Sequence, residues 1–224
     1  MNKVLFTSYK CEKEDKIIQS ILKDWEILNP AYKILYFSDK DIEKFFKETT
    51  YFNTFKQMKN GVAIADFFRI CYINKYGGYW FDIDLPPTKI DPPKHGNIHL
   101  FDLGYKNISY MFIGGKPNQK LFNDVIIKVN KNILDNIKHK KEHVMKITGP
   151  QIIQNIICNK LNISNKNGCL TGNNNPKLYL QNTDYEFIYK RSNIADAFPH
   201  HKTLRYRKLQ NKYRRFPYQY YNYI

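Results

Sequence analysis

Apolar positions fall into two alternating periods along the first half of the chain. Val4-Leu5-Phe6 is a short apolar run, and Lys3–Thr7 reads as a strand. Between Asp15 and Leu28, the residues Ile17, Ile18, Ile21, Leu22, Trp25 and Leu28 recur at helical spacing, which predicts an amphipathic helix. Asn29-Pro30 stops it, because proline disfavours helical geometry at the residue before it. Lys33–Phe37 reads as a second strand. Ser38 with Asp41 forms a capping signal for a helix through Lys47. Residues 49–60 read as a polar and aromatic connection. The order β-α-β-α implies parallel strands in a covered sheet.

The central stretch breaks the amphipathic pattern. From Val62 to Ile73 the only charged residues are Asp66 and Arg69, and a helix apolar nearly all round is a buried one. Gly77 suits the left-handed end of that helix. Gly78 permits a sharp turn into an apolar strand, Tyr79-Trp80-Phe81. Asp82 and Asp84 follow where the strand runs out. Alternation would set both carboxylates on one face and Ile83 toward the core. Further on, Asn97–Leu103 and Ile108–Ile113 alternate like strands around a turn at Gly104–Asn107. Gly114-Gly115 suits either close approach of a ligand or a bend. Pro117 to Asn132 reads as a helix, and Lys138–His143 as a solvated charge run. Thr148-Gly149-Pro150 opens another helix, with Ile152, Ile153, Ile156 and Ile157 on its apolar side. Its entry suits a phosphate or an acceptor, or a plain helix start with proline in the first turn. An Asn/Gly-rich loop over Ser164–Asn175 precedes late strands at Lys177–Gln181 and Tyr185–Tyr189.

Composition bounds the answer without deciding it. The 224 residues suffice for one domain with a substantial core. The formal charge of +16 favours anionic partners such as nucleotides, lipid head groups or nucleic acid. The four cysteines, Cys11, Cys71, Cys158 and Cys169, show no zinc-like spacing, and Cys71 reads as a small core hydrophobe. No apolar leader or membrane-length run is seen, so the expected location is cytoplasmic or peripheral to a membrane. From Lys202 to Ile224 the chain carries seven basic residues, six tyrosines and no acidic residue. That composition suits an anionic membrane surface, or packing back on the domain, ahead of nucleic acid. The division expected is a domain over 1–199 and a basic, tyrosine-rich helical segment over 200–224.

Paired carboxylates at a strand end suit Mg²⁺ or Mn²⁺, which bind through one or two carboxylates plus substrate phosphates. Asp66 and Arg69, three apart on one helix face, read either as a site pair or as a structural ion pair. The joint pattern is Ala63-Ile64-Ala65-Asp66-Phe67-Phe68-Arg69, then Tyr76-Gly77-Gly78-Tyr79-Trp80-Phe81-Asp82-Ile83-Asp84. It resembles the family-32 glycosyltransferases, which include fungal Golgi mannosyltransferases and are similar to the catalytic domains of large glucosylating toxins. Trp25-x-x-x-Asn29-Pro30-x-Tyr32 and Thr148-Gly149-Pro150 extend the resemblance.

The resemblance implies a single Rossmann-like GT-A domain with a mostly parallel sheet and the Asp-x-Asp at a strand end. It implies metal-dependent transfer of a sugar, with retention, from a nucleotide-diphosphate donor to a glycan, lipid or protein acceptor. A UDP-sugar comes first as donor and GDP-mannose second. Asp84 would bind Mn²⁺ or Mg²⁺ directly. Asp82 would support the metal and touch the ribose. Asp66 and Arg69 would meet the donor's hydroxyls, and Trp80 would pack beside sugar or diphosphate. Thr7, Ser8 and Tyr9, at the end of the first strand, would line the nucleotide. Relatives place a His and then Ser-Trp near the C-terminus. Here no tryptophan follows Trp80, and His200 or His201 would supply the remaining metal ligand. Two rivals stand beside this reading. One is a phosphatase with an aspartyl nucleophile. The other is a basic membrane- or nucleic-acid-binding module with a degenerate sugar site.

Overall fold

The chain is seen in a computed structural model that describes residues 2–90, 97–102, 108–136, 144–160 and 185–189. The described elements run β1 (Val4–Ser8), α1 (Lys16–Leu28), β2 (Lys33–Phe37), α2 (Asp39–Lys47), α3 (Phe52–Gln57), α4 (Gly61–Tyr76) and β3 (Gly78–Phe81). They continue as β4 (Ile98–Asp102), β5 (Ile108–Gly115), α5 (Lys120–Asn136), α6 (Val144–Ile147), α7 (Pro150–Lys160) and β6 (Tyr185–Tyr189). The turn expected at 104–107, the charge run, the loop and strand between 164 and 181, His200, His201 and the basic segment all lie outside the described residues.

The strands form one mixed sheet in the order β2-β1-β3-β5-β4-β6. β1 pairs in parallel with both β2 and β3, and β4 pairs in parallel with β6. β5 runs antiparallel between β3 and β4. The parallel core expected from the β-α-β-α order is therefore present at β2-β1-β3, and β5 reverses direction beside it.

Each face of the sheet has its own core. One gathers Phe6, Trp80 and Ile113 under α2 and α4–α7, with Phe67, Phe68, Ile70 and Ile73 of α4 wholly buried. The other packs Leu5, Tyr79, Phe81 and Phe112 against Ile18, Ile21, Leu22 and Trp25 of α1. Trp25 stacks on Phe81 at 4.1 Å between ring centroids. Cys71 is buried on the first side, as its apolar neighbours led one to expect. No helix among the described residues is long and apolar enough to cross a membrane.

Local chemistry accounts for the element ends. Asp15 caps α1 by accepting from the backbone N–H groups of Ile17 and Ile18. Ser38 and Asp41 close a reciprocal capping box on α2. Gly77, at φ 73°, terminates α4, and Gly78, at φ 107°, starts β3. A Cβ on Gly78 would lie 3.0 Å from the Val4 carbonyl oxygen, so glycine also lets β3 sit tightly beside β1.

Three expectations need correction. The connection over 49–60 contains a helix, α3, too short to display a periodic stripe. It forms because Phe55 stacks on Phe46 at 4.9 Å. Helix α5 begins at Lys120 and not at Pro117, because Asn118 adopts φ 58°. Gly114 and Gly115 make room for side chains, not for a ligand. A Cβ at Gly114 would fall 2.1 Å from the Tyr79 ring, and one at Gly115 would fall 2.5 Å from the Phe122 ring.

Candidate active site

β1 and β3 are parallel neighbours whose connections leave in opposite directions, since β1 leads through α1 to β2 on its other side. In open α/β sheets the crevice at the carboxyl ends of such strands is where ligands bind. The register pairs Phe6 with Trp80. Continuing it sets Ser8 level with Asp82. The Thr7-Ser8-Tyr9 end and the Asp-x-Asp thus lie side by side at the carboxyl edge of the sheet.

The Asp-x-Asp is a turn and not a continuation of the strand. The N–H of Asp82 makes a last ladder bond, 2.8 Å to the Met111 carbonyl, and its own carbonyl then accepts from Leu85 N–H at 2.9 Å. Strand alternation therefore does not carry through to Asp84. Ile83 still reaches the core. Downstream, Asn29 pins the returning chain. Its Nδ2 donates 2.9 Å to the Thr88 carbonyl, and its Oδ1 accepts from Ile90 N–H at 2.7 Å.

Arg69 ties α4 to this turn. Its Nε donates to the Ala65 carbonyl at 3.1 Å. Nη1 lies 2.6 Å from the Tyr110 carbonyl and 3.0 Å from Asp82 Oδ1. Nη2 lies 3.3 Å from Asp66 Oδ1. Beneath them Trp80 places its ring centroid 4.4 Å from the guanidinium carbon and donates Nε1–H to Asp82 Oδ1 at 2.7 Å. The second oxygen of Asp66 accepts from Thr148 Oγ1 at 3.4 Å. Burial pushes the Asp66 carboxyl up to about 6, and the Asp82 charge adds to that, while Arg69 and Thr148 pull the other way.

The structure thus joins Asp66, Arg69, Trp80 and Asp82, with Asp84 on the same turn. Trp80 is 2% exposed and lies under the carboxylates, so its indole does not stand beside a donor as expected. Thr7 is sealed within β1, whereas Ser8 and Tyr9 come at the end of that strand. Sequence reasoning missed Asn29 as the anchor of the turn, Thr148 as the partner of Asp66, and the Tyr110 carbonyl. The first two stood in motifs that had been noticed. A carbonyl leaves no trace in a sequence. It is turned toward Arg69 where β5 departs from regular pairing, the β4 register slipping between His99 and Phe101.

Among the described residues, no group of three or more His, Cys, Asp or Glu is arranged to hold a metal. The two carboxylates of the turn are nevertheless of the hard-oxygen type that Mg²⁺ and Mn²⁺ accept when phosphates complete the shell.

The sheet, covered on both faces, sets paired carboxylates at the carboxyl edge of its parallel strands. Residues 15–93, which hold the Asn29 anchor, the ionic helix and the turn, match the family described as "Glycosyltransferase sugar-binding region containing DXD motif". That match spans about a third of the chain and is a likeness to the DXD-containing sugar transferases. The chain's fold is similar to that of the solved PaToxG Glycosyltransferase, with a TM-score of 0.50 and 16% identity over 71% of this chain and 69% of that one. No curated protein matches the chain.

Proposed function

We propose that the chain transfers a sugar from a nucleotide-diphosphate donor, a UDP-sugar first and GDP-mannose second, in a reaction that needs Mn²⁺ or Mg²⁺. The acceptor is a glycan, lipid or protein, and the anomeric configuration is retained. The observation that carries this reading is the parallel pairing that sets the end of β1 beside the Asp82–Asp84 turn. Ser8 and Tyr9 would line the nucleotide, and the Thr7 side chain would support them from within the sheet. Asp84 and the outer oxygen of Asp82 would hold the cation. A bound divalent ion neutralises charge on a departing diphosphate.

Asp66 would accept from the donor sugar's hydroxyls. Arg69 would act mainly by holding Asp66 and Asp82 at a fixed spacing, since Nη1 is spent on Tyr110 and Asp82 and Nε on Ala65. Support comes from the cost of the arrangement. A carboxyl kept in a buried place that raises its pKa to about 6 is the kind of perturbation that clusters at functional sites. His200 or His201 would complete the metal site, and 202–224 would touch an anionic membrane surface.

The test is donor hydrolysis. The protein is incubated with Mn²⁺ and a panel of UDP- and GDP-sugars, and free nucleotide is assayed, with Asp84→Asn as control. Release from one donor, lost in the variant and on chelation, names the donor and supports the metal role. Undiminished release by Asp84→Asn would overturn the metal assignment.

A further inference from the structure

We propose that Trp80 is a positioning residue for the metal-facing carboxylate. With Arg69 it takes up one oxygen of Asp82, so that the other is the one presented to a divalent cation. This rests on the metal-dependent reading above.

The geometry is that of a two-donor lock. Asp82 Oδ1 receives the indole N–H at 2.7 Å and Arg69 Nη1 at 3.0 Å. A carboxylate free to rotate would offer either oxygen to a cation. Two donors converging on a single oxygen remove that freedom. The donors are also fixed relative to each other, because the guanidinium lies over the indole at 4.4 Å. The indole in turn is wedged by the edges of Phe6 and Phe68, with centroids at 5.5 and 6.4 Å. The Asp82 side chain keeps 27% of its surface, against 6% for Arg69, so the carboxylate is partly open to solvent while the donor that holds it is buried.

The alternative is that Trp80 merely fills space, and the chain's other tryptophan shows what that looks like. Trp25 is buried with its Nε1–H left without a hydrogen-bond partner, its ring stacked on Phe81. Trp80 is as deeply buried, yet its N–H is aimed at the motif carboxylate. Supporting residues that orient a metal ligand are worth about 10–100-fold in metal affinity.

The experiment is a titration of Mn²⁺ in the presence of UDP and, separately, of GDP, each against nucleotide alone, following the free-ion electron paramagnetic resonance signal, on wild type and Trp80→Phe. The expected result is affinity lower by about 10-fold or more in the variant. Donor turnover should recover as Mn²⁺ is raised, because Asp82 itself remains. Where Trp80→Phe does not fold, site-specific replacement of Trp80 by its benzothienyl isostere removes the N–H and keeps the shape. Unchanged Mn²⁺ affinity in either protein would overturn the lock. A wild-type protein that takes up no Mn²⁺ with either UDP or GDP would overturn the metal reading itself, and this inference with it. The two failures are therefore distinguishable.

Discussion

Replacing Asp66 by asparagine should change how stability depends on pH, in a direction the structure dictates. In the unfolded chain this carboxyl ionises near its ordinary value of 3.8; in the fold it does so near about 6. Between those values the native state holds a proton that the unfolded state has released. Stability therefore falls as pH rises through this window and is level above it. A shift of about two units, at 1.36 kcal/mol per unit, amounts to about 3 kcal/mol by pH 7. Asp66→Asn keeps the size of the side chain and removes the titration. The assay is urea unfolding of both proteins at intervals from about pH 3 to pH 7, with stability taken by linear extrapolation. Titrations common to both chains cancel in the difference. That difference, wild type minus variant, should decline by about 3 kcal/mol as the pH is raised. Parallel profiles would refute the reasoning. A difference that grew with pH would show that the Arg69 ion pair, 3.3 Å away, outweighs desolvation. Because the ionised form is the one proposed to accept from the sugar, turnover should lose activity on the acid side of the same window.

Arg69→Ala strands two carboxylates and the Tyr110 carbonyl, and should cost about 3–5 kcal/mol in urea unfolding; an effect confined to donor selectivity would contradict the tie it is assigned here. Asn29→Ala should cost about 1–3 kcal/mol and speed hydrogen exchange at the Ile90 amide, which loses its acceptor. Gly114→Ala sets a methyl against the Tyr79 ring and should lower stability by about 1–3 kcal/mol, read as a fall in the urea midpoint.

Much of this site was legible because its chemistry is local. A charged pair inside an otherwise apolar helix, two glycines at a helix end, an aromatic strand and two carboxylates all lie between Gly61 and Asp84. Helix ends were legible for the same reason, since Asp15, Ser38 and Asp41 act on backbone groups two or three residues away. What the residue pattern alone determined was therefore the elements, the buried helix and the identity of the carboxylates.

Tertiary structure decided how those carboxylates are held. Thr148 meets Asp66 across 82 positions, and Asn29 meets Ile90 across 61. Arg69 spans 41 positions to find a carbonyl, a group that every residue carries and that no pattern can single out. Trp80 shows the difference most directly. Its place beside the motif could be read in advance, but which way its ring faced could not. On a strand with helices against both sides of the sheet, alternation settles which face a side chain takes. It does not settle whether the end of that face opens to solvent or is capped by an arginine from the helix above. Here the guanidinium covers the indole, and the indole's N–H goes to the carboxylate instead of to a ligand.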